Sequence, residues 1–439
     1  MAENFDVVVV GARCAGASLA TLLARQGIAV AVLEQTTFPR GTLSSHIIEA
    51  DALAFLARLG LAEEFRAAGA PIADRVELRL EDVYVTTSWP QLPGDIGGVA
   101  SLRRERLDPL LAGAAEAAGA DLRFENKVTG LLRDGDRVSG VRVERGGSES
   151  ELRAALVVGA DGRNSTVARL CGSRRYNVSP NERNLYWGYF EGADPGPEPT
   201  FLSHRWKDRF ILALPTDGGL YQVLVWPEDS DLERFDRDLD AVFADQVASC
   251  APVAAALSGA QRVGKLQGAV RWEGFFREAS GPGWVLLGDA GHFKDPAPGR
   301  GIGDAFIQAD SLASAIASAM GGGREIDTEL KRWGQWRDRE FAEHYWLATD
   351  LGKAGAAPAV LTEMIQSLAD RGEIDVFFEF LSHRVRPSEV VTPRRVAGAV
   401  ARQLRSRSGE RLEVLREIRE LGATDARRRR LNRRPAFAD

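Results

Sequence analysis

The sequence predicts an α/β fold in three parts, and three observations carry that reading. A continuous apolar run, Phe5 to Val10, ends at Gly11; a helical pattern follows, and then a second apolar run, Ile28 to Leu33. Runs of this kind read as buried parallel strands, so the opening unit is Rossmann-like. Between Asn184 and about Phe276 the composition shifts. "LYWGYFEG", "DRFILALP" and "GGLYQVLVWP" are aromatic and β-branched, separated by proline and glycine, as in a mostly antiparallel sheet layer. From Glu325 the pattern is almost wholly helical. The expected division is a nucleotide-binding domain from 1–183 and 277–350, with 75–100 contributing to the sheet layer. A substrate-binding sheet domain covers 184–276, and a helical C-terminal region 351–439.

In chain order, Ala15 to Gln26 carries Leu19, Leu22 and Leu23 at helical spacing and stops at Gly27. Thr36 to Ser45 is rich in turn formers and reads as a loop. Ala50–Leu59 and Ala62–Ala68 read as helices, and Arg75–Thr87 as a strand pair turning near Glu81-Asp82. A helix over Glu105–Ala118, a hairpin over Val128–Leu132 and Val138–Glu144, and a strand ending at "GADG" follow. A single charged helix, about Leu232 to Ala248, crosses the sheet layer. The tail "DARRRRLNRR" reads either as a solvated or frayed end or as a site for an acidic partner.

Bulk properties exclude several classes of function. The net charge of −6 gives no sign of a nucleic-acid partner. Cys14, Cys171 and Cys250 are too scattered for a disulfide framework or metal spacing, and the five histidines show no zinc-like pairing. No metal is therefore expected. No apolar stretch reaches the roughly 20 residues of a membrane span. "MAENFDVVVVG" runs straight into a strand without a signal peptide, so a cytoplasmic location is expected.

The fingerprint G-x-G-x-x-G places glycines at Gly11 and Gly16 but has Arg13 where the second belongs. Gly11 makes the tight turn and Gly16 allows close helix–strand packing, so the geometry survives an outward side chain at 13. Arg13 either adds a charged donor for a phosphate or adenosine, or projects into solvent. Glu34 ends the second strand at the place suited to an adenosine ribose. Two later turns, "VVGADGRNSTVAR" with Asp161 and "LLGDAGHFKDPAPGRGIGDA" with Asp289, each join an apolar strand to a helix. Helix N-termini of this kind favour anionic or electron-rich ligand atoms.

Together these three segments resemble the FAD-dependent aromatic hydroxylases of the para-hydroxybenzoate hydroxylase fold, shared with flavin halogenases and geranylgeranyl reductases. "GARCAG", "FPRGTLSSH", "ALPTDGGL" and "GDAGHFKDP" are similar to a bacterial subgroup found among natural-product tailoring enzymes. The resemblance implies a Rossmann-like FAD-binding domain and an NADPH- or NADH-dependent monooxygenase of secondary metabolism. Such an enzyme hydroxylates or epoxidises an apolar or aromatic small molecule with molecular oxygen, through a flavin hydroperoxide. A carbon–carbon reductase or halogenase on the same fold is the alternative, and a non-catalytic nucleotide-binding protein a remote one. The "WxWxIP" signature of many flavin halogenases is absent, the matching stretch being "RFILALP".

By that resemblance Gly11, Gly16 and Arg104 would serve the FAD pyrophosphate, Glu34 the ribose, and Val128 the adenine through its main chain, with Arg13 a candidate donor to FAD phosphates or adenosine. Asp161 would meet pyrophosphates and Arg40 a phosphate. Asp289 would bind the ribityl chain, while Pro296, Gly299, Gly301 and Ile302 border the isoalloxazine ring. Trp187, Tyr189, Phe210 and Tyr221 are candidate pocket residues, with strand faces open. His46 would meet substrate or cap a helix, and His204 is a candidate base or a surface residue. His292 is read as a structural hydrogen-bonding group or a proton-transfer group, and Lys294-Asp295 as an ion pair or a reactive lysine. A monomer and a homodimer both fit the sequence.

Overall fold

The computed structural model describes residues 3–322, 324–406 and 411–438. Strand β1 (Glu3–Val10) lies at the centre of a sheet, parallel to its neighbours on both sides. Helix α1 (Cys14–Ala24) follows, and Gly27 at φ 76° turns the chain into β2 (Val30–Leu33). The helix stops two residues before the expected Gln26 because that glycine turn begins early. Strand β3 (Ile47–Glu49) and helix α2 (Ala50–Arg58) come next. The hairpin β4 (Arg75–Leu80) and β5 (Val83–Ser88) turns at Glu81, as its alternation predicts. Strand β6 (Val99–Ser101), helix α3 (Arg104–Ala117), β7 (Asp121–Arg123) and β8 (Ser148–Gly159) complete the first half.

Strand β8 pairs with β1 in the register Val7↔Leu156, and on the other side β2 pairs in the register Val7↔Val30. Both faces of β1 are covered, so Val7 to Val10 are all buried. A side chain so buried contributes about 1.5–3 kcal/mol of transfer free energy. That is why the run is apolar without alternation.

The second sheet takes β4, β5 and β6 together with β9 (Leu185–Glu191), β10 (Thr200–Trp206), β11 (Arg209–Thr216), β12 (Leu220–Val225) and β13 (Gln261–Ala269). Most pairs are antiparallel; β4 with β10 and β6 with β11 are parallel. Its faces alternate. Leu185, Trp187, Tyr189, Phe210, Leu212, Leu214, Leu224 and Trp226 share a core with Ile47, Ala297 and the C-terminal Phe377 and Phe378. Tyr186, Ile211, Ala213, Tyr221 and Val223 turn the other way, onto helices carrying Phe235, Val242 and Val253.

Those covering helices correct one expectation. The expected single helix is broken at Asp238, whose extended backbone (φ −151°, ψ 81°) lets its carboxylate accept the Ala241 N–H at 3.0 Å. An aspartate N-cap starts a new helix where charge pattern alone reads straight through.

Strand β14 (Trp284–Leu286) returns to the first sheet beside β8. Helix α4 (Gly301–Gly322) then packs on α1, and α5 (Ile326–Leu351) on α4. The last helix, α6 (Arg411–Arg433), is not frayed, although Arg427, Arg429, Arg430, Arg433 and Arg434 are solvated as expected. Arg428 makes a two-pronged pair with Asp350 at 2.6 and 2.7 Å, Trp346 donates to Asn432, and the Phe437 ring lies tilted against Tyr176, centres 5.4 Å apart. No helix among the described residues is long and apolar enough to cross a membrane.

Candidate active site

The nucleotide turn is built by contact. Gly11 has φ 103°, and a Cβ there would stand 2.5 Å from the Ala160 carbonyl oxygen. The first and second sequence turns therefore touch through a position only glycine can fill. A Cβ on Gly16 would lie 1.9 Å from the Gly11 oxygen, so helix α1 approaches the strand end as closely as the fingerprint requires.

Arg13 does not point freely into solvent. Its guanidinium donates to Asp108 Oδ2 at 2.6 Å and lies 5.4 Å from the centre of the Phe38 ring. Arg104 holds the other oxygen of the same carboxylate at 2.7 Å. Asp108 is fully buried and was missed in the sequence; its signal was the i+4 spacing from Arg104 on α3. One carboxylate thus positions two cations beside the α1 N-terminus, leaving an excess positive charge there.

Glu34 is buried at the end of β2 and accepts from Ala12 N–H at 3.2 Å and from the Thr36 hydroxyl at 2.8 Å. Its main-chain oxygen accepts the Asn126 N–H, bringing the start of the Val128 strand alongside. Arg40 is exposed on the following loop. Asp161 is engaged structurally, capping the next helix through Ser165 Oγ and the N–H groups of Thr166 and Val167 at 2.5, 2.7 and 3.2 Å.

Asp289 is half-buried, and burial pushes its carboxyl up to about 6 against the pull of Arg104. Pro296 accepts the Gly299 N–H at 2.8 Å to form a turn, and Gly299 (φ 76°) rests on Ile47. Gly301 opens α4, and a Cβ there would face open space, whereas Ile302 is buried. The expected Lys294–Asp295 pair is absent. Lys294 binds Asp304 at 2.6 Å, while Asp295 accepts from Trp272 and Ala297, because adjacent extended residues face opposite ways. His292 is packed among Phe276, Phe341 and Tyr345, and its Nε2 makes no hydrogen bond.

His46 does join the aromatic face. Its ring lies 6.1 Å from Tyr189, nearly parallel, and 6.4 Å edge-on to Trp187. Burial first, and then Arg104, push its pKa down to about 3, so the ring is neutral. Its Nδ1 is buried without a hydrogen-bond partner. Glu49, and not His46, occupies the N-cap of α2. Arg103, also missed, grips the buried Asp217 at 2.7 and 3.0 Å and lies 5.8 Å from the Tyr189 ring.

Other assignments divide by strand face. Phe210 shares the face of Trp187 but stacks on Trp226 at 4.9 Å, in the row beyond Leu212. Tyr221 and His204 both face the covering helices and cannot share the Trp187 side. His204 is buried, not a surface residue, with Nδ1 3.6 Å from Cys250 Sγ, and burial lowers its pKa to about 4.

A family model described as an FAD binding domain matches residues 4–335. The chain belongs to that family. It is 28% identical over 322 residues to the rifampicin monooxygenase of Streptomyces venezuelae, covering 72% of this chain and 65% of that protein. It is 27% identical over 354 residues to the digeranylgeranylglycerophospholipid reductase of Methanosarcina mazei, covering 77% and 82%. A solved flavin-dependent brominase shares the fold, with a TM-score of 0.74 at 19% identity over 92% of this chain and 100% of that one. The protein is an FAD-dependent oxidoreductase.

The residues fit that cofactor. The paired arginines and the free N–H groups of α1 suit a pyrophosphate. A carboxyl raised by burial, as at Asp289, gains when polyol hydroxyls donate to its ionised form. The glycine-rich opening of α4 leaves room at Gly301 for a planar ring, and its N–H groups suit an anionic edge.

Proposed function

We propose that the protein is a monooxygenase that takes electrons from NADPH or NADH and inserts one oxygen atom into an apolar or aromatic small molecule. The balance is substrate–H + O₂ + NAD(P)H + H⁺ → substrate–OH + NAD(P)⁺ + H₂O. Bound FAD supplies the redox chemistry. The observation that carries the reading is the aromatic floor of Trp187 and Tyr189 with neutral His46 packed on it.

On this reading each part of the chain has a task. Gly11, Arg13, Gly16 and Arg104 bind the pyrophosphate, Glu34 the ribose and Asp289 the ribityl chain. Trp187 and Tyr189, both buried, back His46 with an apolar layer that keeps water from this side of the sheet. His46 offers Nδ1 as a hydrogen-bonding group; with its pKa near 3 it is not a proton donor at neutral pH. The single glycine fingerprint supports transient docking of the nicotinamide cofactor in place of a second nucleotide domain.

The test uses the purified yellow protein. Substrate should accelerate NAD(P)H oxidation without a partner reductase, and label from ¹⁸O₂ should enter the product. Label from water alone, or a strict need for a flavin reductase, would refute the proposal. The reductase likeness supports a second reading, carbon–carbon bond reduction, whose product would gain two hydrogens and no label.

A further inference from the structure

Behind the turn that opens α4 lies a buried set of charges that the proposed reaction has not used. Lys294 Nζ is 2.6 Å from Asp304 Oδ2 in the first turn of α4. The other oxygen of Asp304 lies 3.5 Å from His383 Nδ1, and His383 Nε2 lies 3.7 Å from Glu340 on α5; these are ion-pair separations in which neither ring nitrogen makes a hydrogen bond, so the ring must shift to pass a proton. Lys294, Asp304 and the His383 side chain are all more than nine-tenths buried, while Glu340 is a quarter exposed. His383 and Glu340 line an open groove of about 390 Å³ between α2, α4 and α5. The chain of groups therefore runs from water to a point two residues before Pro296. Asp304 and Lys294 also bear electrostatically, in opposite directions, on the Asp289 carboxyl.

We infer that Glu340, His383, Asp304 and Lys294 form a proton relay that carries the one solvent proton consumed in each oxygen-using cycle from the groove to the flavin site. The inference rests on the FAD-and-oxygen part of the proposed function. No electrons move along it. The Lys294 ammonium gives up its proton at the inner end to the reduced oxygen, which in the absence of substrate leaves as hydrogen peroxide. Asp304, no longer facing an ammonium, passes the His383 proton to the neutral amine. His383 is recharged from Glu340, which takes a proton from groove water.

At the inner end the surroundings favour this traffic, whereas at the outer end His383 and Arg386 hold the Glu340 carboxyl below its usual range, so it carries the proton only in passing. Burial lowers the Lys294 pKa against the opposing pull of Asp304, which makes the ammonium a better donor. Burial raises Asp304, but Lys294, His383 and Arg300 together hold it well below the usual range. Losing the Lys294 charge removes the largest of those restraints. The groups facing His383 are Glu340 and His344 from α5, whose His344 ring stacks at 3.6 Å, and Asp304 from α4. Arg386 holds Glu340 at 3.0 Å, and Arg300 ties Asp304 to Asp51 and Glu49.

His383 has φ 57°, so His383→Gly removes the ring from a backbone conformation that glycine adopts freely. The space left adjoins the groove, and imidazole from solution can enter it. The experiment mixes anaerobically reduced, FAD-loaded protein with oxygenated buffer and a pH-indicator dye, without substrate. With the reduced flavin as its anion the balance is FADH⁻ + O₂ + H⁺ → FAD + H₂O₂, so one proton is taken up per flavin and is read directly. His383→Gly should take up protons on the order of 10²-fold more slowly, and added imidazole should restore most of the rate. A wild-type rate, or a slowed rate that imidazole does not move, would overturn the relay. Should His383→Gly fail to retain FAD, Glu340→Gln decides: slowed uptake with an enlarged solvent isotope effect supports the relay, and wild-type uptake refutes it. No product is measured, so failure of the oxygen-insertion reading would show separately, in the ¹⁸O label.

Discussion

Replacing Asp289 with asparagine should make the FAD-free protein more stable at pH 8 while weakening its hold on FAD. Burial pushes this carboxyl from 3.8 to about 6. In the unfolded chain it ionises near 3.8; in the folded chain it keeps its proton until pH nears 6. The folded state therefore binds more protons between those values, and stability falls as pH rises through that window. Above about pH 6 the full cost is present, at most about 3 kcal/mol, since each pKa unit is worth 1.36 kcal/mol. Asparagine carries no such cost. Thermal unfolding of the FAD-free variant should therefore come a few degrees higher than wild type at pH 8, with no gain at pH 4. FAD affinity, followed by quenching of flavin fluorescence, should drop by roughly 1.5–3 kcal/mol, the worth of a charged hydrogen bond. An equal effect at both pH values would refute burial as the cause. Unchanged FAD affinity would refute contact with the cofactor.

Four further outcomes follow from the same geometry. Glu34→Ala should purify largely colourless and regain absorbance with added FAD, from the loss of a charge-assisted acceptor of roughly 1.5–3 kcal/mol; full flavin retention through desalting would contradict the ribose assignment. Arg13→Gly should lower FAD affinity by on the order of 1 kcal/mol, more at low salt, and a titration over ionic strength checks it. Gly11→Ala places a methyl 2.5 Å from the Ala160 oxygen at φ 103°, so urea unfolding should show a loss of about 3 kcal/mol or more. His204→Ala, on the helix-covered face, should leave substrate-stimulated NAD(P)H oxidation within about twofold of wild type while lowering the unfolding midpoint.

The sequence makes the nucleotide turn legible because each of its constraints is local. Gly11 and Gly16 answer to contacts within a few residues of the turn or with another short motif, and Glu34 ends an apolar run that announces a strand. Asp108 was harder to find: its importance comes from holding Arg13, ninety-five positions away in the chain. The sheet's aromatics were visible, but their direction was not. Period-two alternation says that neighbours oppose each other without saying which side is inward, and that sorted Tyr221 and His204 away from Trp187 and Tyr189. The Lys294–Asp304 and Arg300–Asp51 contacts join segments that only folding brings together. Glu49, with its carboxyl pushed up to about 7 by burial, belongs to that group and left no mark in local pattern.

The alternating faces of the second sheet also bear on how the protein can change. Trp187 and Tyr189 belong to one packing unit, and Tyr186, Tyr221 and Val223 to another, although the same strands carry both. On the proposed function, a mutational library aimed at altered substrate choice has a short and readable target, every second residue from 185 to 189 and 210 to 214, with Leu224. The intervening positions form a separate reservoir where substitutions change how firmly the helices grip the sheet. If that face meets substrate as proposed, selection could tune durability on one side of the partition and chemical preference on the other with little interference.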